Sequence, residues 1–182
     1  MIGELPKSLE IDNATYEINS DFRVALLIFQ AFNDPELDQY CKALVCLKCL
    51  YKEEAPANTE QAIKKAMWFL DGGDTPKSQN QRKILDWEQD ESIIFPAINK
   101  VAGYETREVK YLHWWTFLGL FNEIGDGLFS QVMNIRGKKS KGKKLEKWER
   151  EFYSTHKELI DLKRKATSQD EQQELDFINN II

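Results

Sequence analysis

The sequence is poor in cysteine and histidine, the residues that most often bind metals or form disulfides: its 182 residues include three cysteines and two histidines. An odd number of cysteines in one short segment argues against a disulfide framework and indicates a reducing compartment. The spacing of Cys41, Cys46 and Cys49 matches that of the first three ligands of a plant-type iron–sulfur site. However, the chain has no fourth cysteine, and the segment has a helical pattern. We therefore expect small buried side chains here, and no metal or other cofactor.

Long hydrophobic runs and an export signal are also lacking. The longest apolar stretch, about residues 112–121, is interrupted by polar residues and is too short to span a bilayer. The N-terminus has neither a basic region nor an apolar signal core. We expect a protein of the cytoplasm that makes no membrane contact.

Motifs for catalysis are lacking as well. There is no H-E-x-x-H sequence, and the glycine pairs are not followed by Gly-Lys-Ser/Thr. The carboxylates of residues 86–91 lie near the predicted start of a helix, where they offset the helix dipole. His113 lies among aromatic residues and is expected to be a core or half-buried side chain. The sequence thus predicts a protein without enzymatic activity.

Charge is unevenly distributed along the chain. The net charge is −5, yet residues 136–150 hold eight basic and two acidic residues, a balance of +6 that leaves −11 for the rest. We interpret residues 136–144 as a basic loop, which is either a solvated connection or an electrostatic dock for an acidic partner. The alternative is a nucleic-acid-binding loop, which the sequence pI of about 5.2 and the absence of base-stacking aromatics disfavour. The cations of this patch are Arg136, Lys138, Lys139, Lys141, Lys143 and Lys144.

Hydrophobic periodicity predicts a mainly α-helical domain with about six helices and an N-terminal β-hairpin over residues 8–18. The central helix, residues 111–124, is apolar nearly all round and is expected to direct Trp115, Leu118 and Phe121 inward. The other helices are predicted from the cap Ser20 to residue 32, over residues 36–51, from the capping box of Asn58 and Gln61 to residue 72, over residues 86–101, over residues 128–135 and from residue 143 onward.

The C-terminal part is predicted to be a long amphipathic helix. It divides the chain into a domain, residues 1–142, and a helical extension, residues 143–182. The apolar residues of the extension follow a heptad spacing that either closes the domain core or binds a second chain. We assign partner binding to the stripe of Leu145, Trp148, Phe152, Leu159 and Leu162. A second capping box, Ser168 and Glu171, begins a last segment with Leu175, Ile178 and Ile182 as its stripe.

Several stretches of the chain match a known pattern. They read MIGELPKSLEI, SDFRVALLIF, MWFLDGG, LDWEQD, IFPAINKVAG, EVKYLHWWTFLGLFNEIG and KGKKLEKWEREFY. With these stretches the chain resembles the bacteriophage gene-product-15 family, found in long-tailed phages and prophages of mostly Gram-positive bacteria. The resemblance covers roughly residues 1–162 and includes none of the cysteines.

The resemblance implies a role in tail morphogenesis. Genes of this family typically lie between those of the major tail protein and the tape measure protein, where tail assembly chaperones are encoded. The implied partners are phage tail proteins, above all the tape measure protein, a long and partly apolar helical chain that must stay soluble before the tail tube forms. Self-association is compatible with this role, and the cytoplasm of the host bacterium is its implied location.

Overall fold

The computed structural model describes residues 3–74 and 84–163, and within them the chain is mainly helical. Its order is β1 (Ser8–Ile11), β2 (Ala14–Glu17), α1 (Phe22–Phe32), α2 (Gln39–Leu50), α3 (Thr59–Leu70), α4 (Glu91–Ala102), α5 (Trp114–Asn122), α6 (Leu128–Ser140), α7 (Lys147–Thr155) and α8 (Lys157–Ile160). The predicted helical class and the hairpin are confirmed, whereas the prediction of about six helices is too low. No described helix is long and apolar enough to cross a membrane.

The N-terminal hairpin pairs β1 and β2 in antiparallel register, from Ser8 opposite Glu17 to Ile11 opposite Ala14. Its two turn residues, Asp12 and Asn13, have φ values of 49° and 64°. Asparagine and aspartate tolerate this left-handed region, and turns of this kind match the twist of paired strands. The buried side of the hairpin joins the main core, so the hairpin extends that core.

Polar side chains mark the starts of the first three helices. Asp21 caps α1 by accepting the Arg23 N–H at 3.0 Å, so the cap lies one residue after the predicted Ser20. Ser20 is instead buried and shares a 2.8 Å hydrogen bond with the Tyr111 hydroxyl. Asn58 caps α3 as predicted, accepting the Gln61 N–H.

The fourth helix begins later than the sequence pattern predicts. Residues 86–90 form a turn, because the Asp86 carboxylate accepts the backbone N–H groups of Glu88 and Gln89 at 3.0 Å. Such local bonds compete with helix formation. The helix then continues through Pro96, an exposed residue, to its left-handed C-cap at Gly103.

The core is built around the aromatic side chains of α5. Trp114 and Phe117 are fully buried, and Phe117 stacks on Phe22 of α1 with ring centroids 4.5 Å apart. Trp115, Leu118 and Phe121, which were predicted to be core residues, pack against the core but are only half-buried. A helix with almost no polar face gives no periodic signal for its rotation, which explains why the fully buried pair was not identified.

The C-terminal region differs most from the prediction. The basic segment of residues 136–144 is mostly helical rather than a loop, because α6 runs to Ser140. The predicted long helix is broken at His156 into α7 and the single turn of α8. Ser154 and Thr155 both donate side-chain hydrogen bonds to the Glu151 carbonyl, which is the local competition that shortens helices.

Two predictions concern segments beyond the described residues. The polar sequence of residues 74–83 has no hydrophobic periodicity and predicts a loop, of which residues 75–83 lie there. The predicted capping box of Ser168 and Glu171 lies there as well. The proposed division of the chain after residue 142 stays a prediction. Within the described part, α8 contacts α6 as well as α7.

Candidate protein-binding surface

Arg136 does not belong to an exposed basic patch, as the sequence suggested, because its side chain is 5% exposed. It forms a two-point ion pair with Asp90, at 2.6 and 2.8 Å. Three further N–H bonds reach the carbonyl groups of Ile84, Leu159 and Ile160. A buried guanidinium with all its donors satisfied holds its neighbours in place, so Arg136 fastens the C-terminal segment to the turn before α4.

Two lysines of the predicted patch are also engaged inside the molecule. Lys138 donates to Glu149, a buried carboxylate of α7, at 2.6 Å. This hydrogen bond, with the N–H of Glu146, holds the pKa of Glu149 below its usual value. Lys139 pairs with Asp161, whose other oxygen accepts the Tyr153 hydroxyl proton at 2.7 Å. Of the six predicted cations, three therefore stabilise the fold.

The three remaining cations lie at the connection between α6 and α7. Lys141, Lys143 and Lys144 are exposed and form no ion pair with any described residue. Gly142, at φ +66°, lets the chain turn there, and the Lys143 N–H returns to the Lys138 carbonyl. This tight turn brings the lysines directly before the N-terminus of α7.

Within the predicted apolar stripe the structure separates one residue from the others. Leu145, Phe152 and Leu159 are half-buried and pack on the core, and Leu162 is half-buried as well. Trp148 is 51% exposed and is absent from that packed set. A large aromatic side chain that is half in solvent costs solubility and is a frequent interface anchor. We define the Trp148 surface as Trp148 with the exposed cations that precede it in the chain, Lys141, Lys143, Lys144 and Lys147.

A second candidate surface lies between α4 and the connection from α5 to α6. This groove has a volume of about 510 Å³ and is lined by apolar side chains such as Ile93, Ala97 and Phe129. Val101 and Leu128 line it too, and both are exposed. The sequence did not predict this groove, because its two walls come from separate helices and loops of the chain. Gly125, Asp126 and Gly127 form part of one wall.

The cysteines show no sign of reactivity. Burial raises the pKa of Cys46 to about 12, and the thiols of Cys41 and Cys49 also have raised pKa values, from a hydrogen bond to Asp38 and from burial respectively. They are therefore protonated, poor nucleophiles at neutral pH. Within residues 3–74 and 84–163, no group of three or more His, Cys, Asp or Glu side chains is placed to hold a metal ion.

His113 is a core residue with a structural role, as predicted. Its Nδ1 accepts the Trp115 N–H at 3.0 Å and caps α5, so its Nε2–H donates to the Pro6 carbonyl at 2.9 Å. Burial lowers the pKa of His113, which favours the neutral ring that these two bonds require.

Comparison with known proteins returns one family. The family model described as Bacteriophage Gp15 protein matches residues 1–162 of the chain. No curated protein and no solved structure matches it. The match includes all of α1–α8, and it leaves residues 163–182 outside the family region.

Proposed function

We propose, from the premise that this chain belongs to the bacteriophage Gp15 protein family, that it acts in tail morphogenesis by binding other tail proteins. Its role would be that of an assembly chaperone or scaffold for the tape measure protein or other tail subunits. The family match is the single observation that carries this proposal. It supports a phage protein directly, and the tail role rests on the usual gene neighbourhood of the family, an associational argument.

The Trp148 surface supports the proposed protein-binding role. An exposed tryptophan supplies a rigid apolar anchor of the kind that dominates binding energy in many interfaces. The lysines that precede it in the chain have no ion-pair partner among the described residues, and such positive charge raises the rate of encounter with an acidic partner. A helix of a tail protein with apolar residues flanked by carboxylates fits this surface.

The hydrogen bonds beneath this surface suit it to binding. Glu149 and Tyr153 of the same helix, α7, are bonded to Lys138 and Asp161, which fixes the helix on the domain. A partner that binds Trp148 therefore meets an ordered helix and loses less conformational entropy on binding than with a mobile segment. On this proposal the protein is not an enzyme and works in the cytoplasm of the host bacterium, and self-association is compatible with its role.

The alternative function, nucleic-acid binding through residues 136–144, gains no support. Arg136, Lys138 and Lys139 are engaged in internal ion pairs, so half of the predicted cations are unavailable to phosphates. Backbone binding depends on the number of phosphates neutralised, and three exposed lysines give a weak, salt-sensitive contact.

Co-expression with the tape measure protein of the same phage or prophage tests the proposal. We expect the tape measure protein to become soluble and to co-purify with the wild-type chain. Trp148→Ala should reduce the amount recovered. The matched control is Tyr40→Ala, since Tyr40 is also a large exposed aromatic, 75% exposed, on α2. The proposal is contradicted if neither the tape measure protein nor another tail protein co-purifies with the wild-type chain.

A further inference from the structure

The described chain ends beside the helices that carry the Trp148 surface. Asp161 is held by Lys139 at the end of α6 and by Tyr153 of α7. The Lys163 N–H then donates to the Gln89 side chain at 2.8 Å, and the Gln89 amide donates to the Asp161 carbonyl at 3.0 Å. The end of the described chain is therefore held in place by four side chains. They are those of Gln89, Asp161, Lys139 of α6 and Tyr153 of α7.

The residues that follow have a composition opposite to that of the Trp148 surface. Residues 164–182 lie outside the family match. Within them, residues 170–178 (DEQQELDFI) hold four carboxylates and no basic residue, together with Leu175, Phe177 and Ile178. The segment is thus acidic and apolar, whereas the surface is basic with an exposed aromatic ring.

The residues between the described chain and the acidic segment are long enough for that segment to reach the Trp148 surface. Residues 164–169 and the following peptide can span roughly 20–25 Å when extended. Helix α7 has 9 residues and is therefore only about 14 Å long. The acidic segment can reach any position along α7 from its point of departure.

We propose that residues 170–178 dock on the Trp148 surface of their own chain and shield it until a partner displaces them. The composition of the segment matches that of the surface, since it offers apolar side chains for the Trp148 ring and carboxylates for the lysines. Displacement by a partner rests on the proposed function, whereas docking of the segment on its own chain does not require a partner. A tethered segment is present at a millimolar effective concentration, so a weak contact is sufficient.

Charge decides between this surface and the apolar groove beside α4. Glu123 and Asp126 lie in the lining of the groove, against the single cation Lys100. Like charges would oppose an acidic segment there. The Trp148 surface instead offers four lysines, none of them in an ion pair with a described residue.

Nuclear magnetic resonance of the full chain tests the docking without a partner. The variant Glu171→Lys/Glu174→Lys/Asp176→Lys should shift the Trp148 indole N–H resonance and the amides of Lys143, Lys144 and Lys147. About 0.5 M salt should produce shifts in the same direction in the wild-type chain, since exposed charges are then screened within roughly 4–5 Å. The Trp148 resonance is assigned with Trp148→Phe.

The matched control is Glu53→Lys/Glu54→Lys/Glu60→Lys, which changes the net charge equally at exposed positions beside the hairpin and α3. It should leave the Trp148 resonance in place. The docking is overturned if the charge-reversed segment moves this resonance no more than the control does. It is also overturned if the shift depends on protein concentration, because a second copy would then supply the segment.

Partner binding separates this inference from the proposed function. If docking shields the surface about nine-tenths of the time, the charge-reversed variant should bind the tape measure protein about tenfold more tightly than the wild type. Equal affinities would contradict shielding. If the resonance shifts occur but no tail protein binds either form, the docking stands and the proposed function fails.

Discussion

Different interactions hold the region around Trp114 and the region around Arg136 together. Trp114 and Phe117 pack among aromatic rings of α1 and of the turn before α4. The Trp114 indole N–H donates a hydrogen bond to the Leu70 carbonyl at 2.9 Å. Around Arg136, charged side chains make the buried contacts between α6, α7, α8 and the turn at Asp90. The first region depends on apolar burial, and the second depends on the ionisation of carboxylates.

This difference bears on stability and on function. Buried ion pairs add little net stability relative to well-packed apolar groups, but removing one partner is costly because the other charge stays buried. The C-terminal region should therefore be well defined at neutral pH and the first to loosen when its carboxylates are protonated. The Trp148 surface lies on this region, so its geometry depends on those ion pairs.

The largest effect is expected in the aromatic core. Trp114→Ala should destabilise the protein by about 3–5 kcal/mol, because it removes a fully buried ring and leaves a cavity. Denaturant unfolding at neutral pH measures this loss. Trp148→Ala is the control and should stay within about 0.5 kcal/mol of the wild type. A Trp114 variant as stable as that control would show that the core has been misassigned.

Arg136→Met should cost about 3 kcal/mol, since it leaves Asp90 buried without its cation. The double variant Arg136→Met/Asp90→Leu should recover part of this loss, because it removes the orphaned charge while the carbonyls of Leu159 and Ile160 still lack their donor. A double-mutant cycle in denaturant gives the coupling. Additive losses would indicate that the two side chains do not interact.

Acid that protonates Glu149 should loosen α7 more than the aromatic core. The folded-state pKa of Glu149 lies below its unfolded value of about 4.3, so its contribution to stability is complete above that pH and is lost as the pH falls through the folded value. Hydrogen exchange across α7 should accelerate in this range. Glu149→Gln should remove most of the response, whereas Glu151→Gln, an exposed change on the same helix, should retain it. An unchanged response in Glu149→Gln would contradict this assignment.

His113 should give the aromatic region a small pH response of its own. Because its folded pKa is lowered, the neutral ring stabilises the protein fully above the unfolded value of about 6.5, and this stability falls as the pH drops below it. His113→Asn keeps a helix-capping side chain and should flatten the change between about pH 6.5 and 5. Thermal unfolding at several pH values measures this. The same slope in the variant would assign the response elsewhere.

Local patterns in the sequence predicted local structure well. Alternating apolar residues around Asp12 and Asn13 identified the hairpin, and Asn58 with Gln61 identified the start of α3. The rotation of α5 could not be predicted, since a helix that is apolar nearly all round has no polar face to orient it.

Local sequence patterns could not predict ion pairs between residues that are far apart in the chain. Arg136 and Asp90 are 46 residues apart, and nothing in one sequence links them. Charged residues on amphipathic helices usually face solvent, so the burial of Glu149 could not be expected from its position. The heptad spacing of the predicted binding stripe revealed neither the break at His156 nor the packing of Leu145, Phe152 and Leu159 against the core. Partner binding by the stripe stays a prediction. Trp148 alone keeps the exposure that an anchor requires.

Hydrogen exchange on the complex with the tape measure protein tests the central claim most directly. If the protein binds through the Trp148 surface, amides of residues 141–152 should become several-fold more protected in the complex than in the free chain. The amides that line the groove between α4 and α6 should exchange as before. Protection confined to that groove, with residues 141–152 unchanged, would contradict the account.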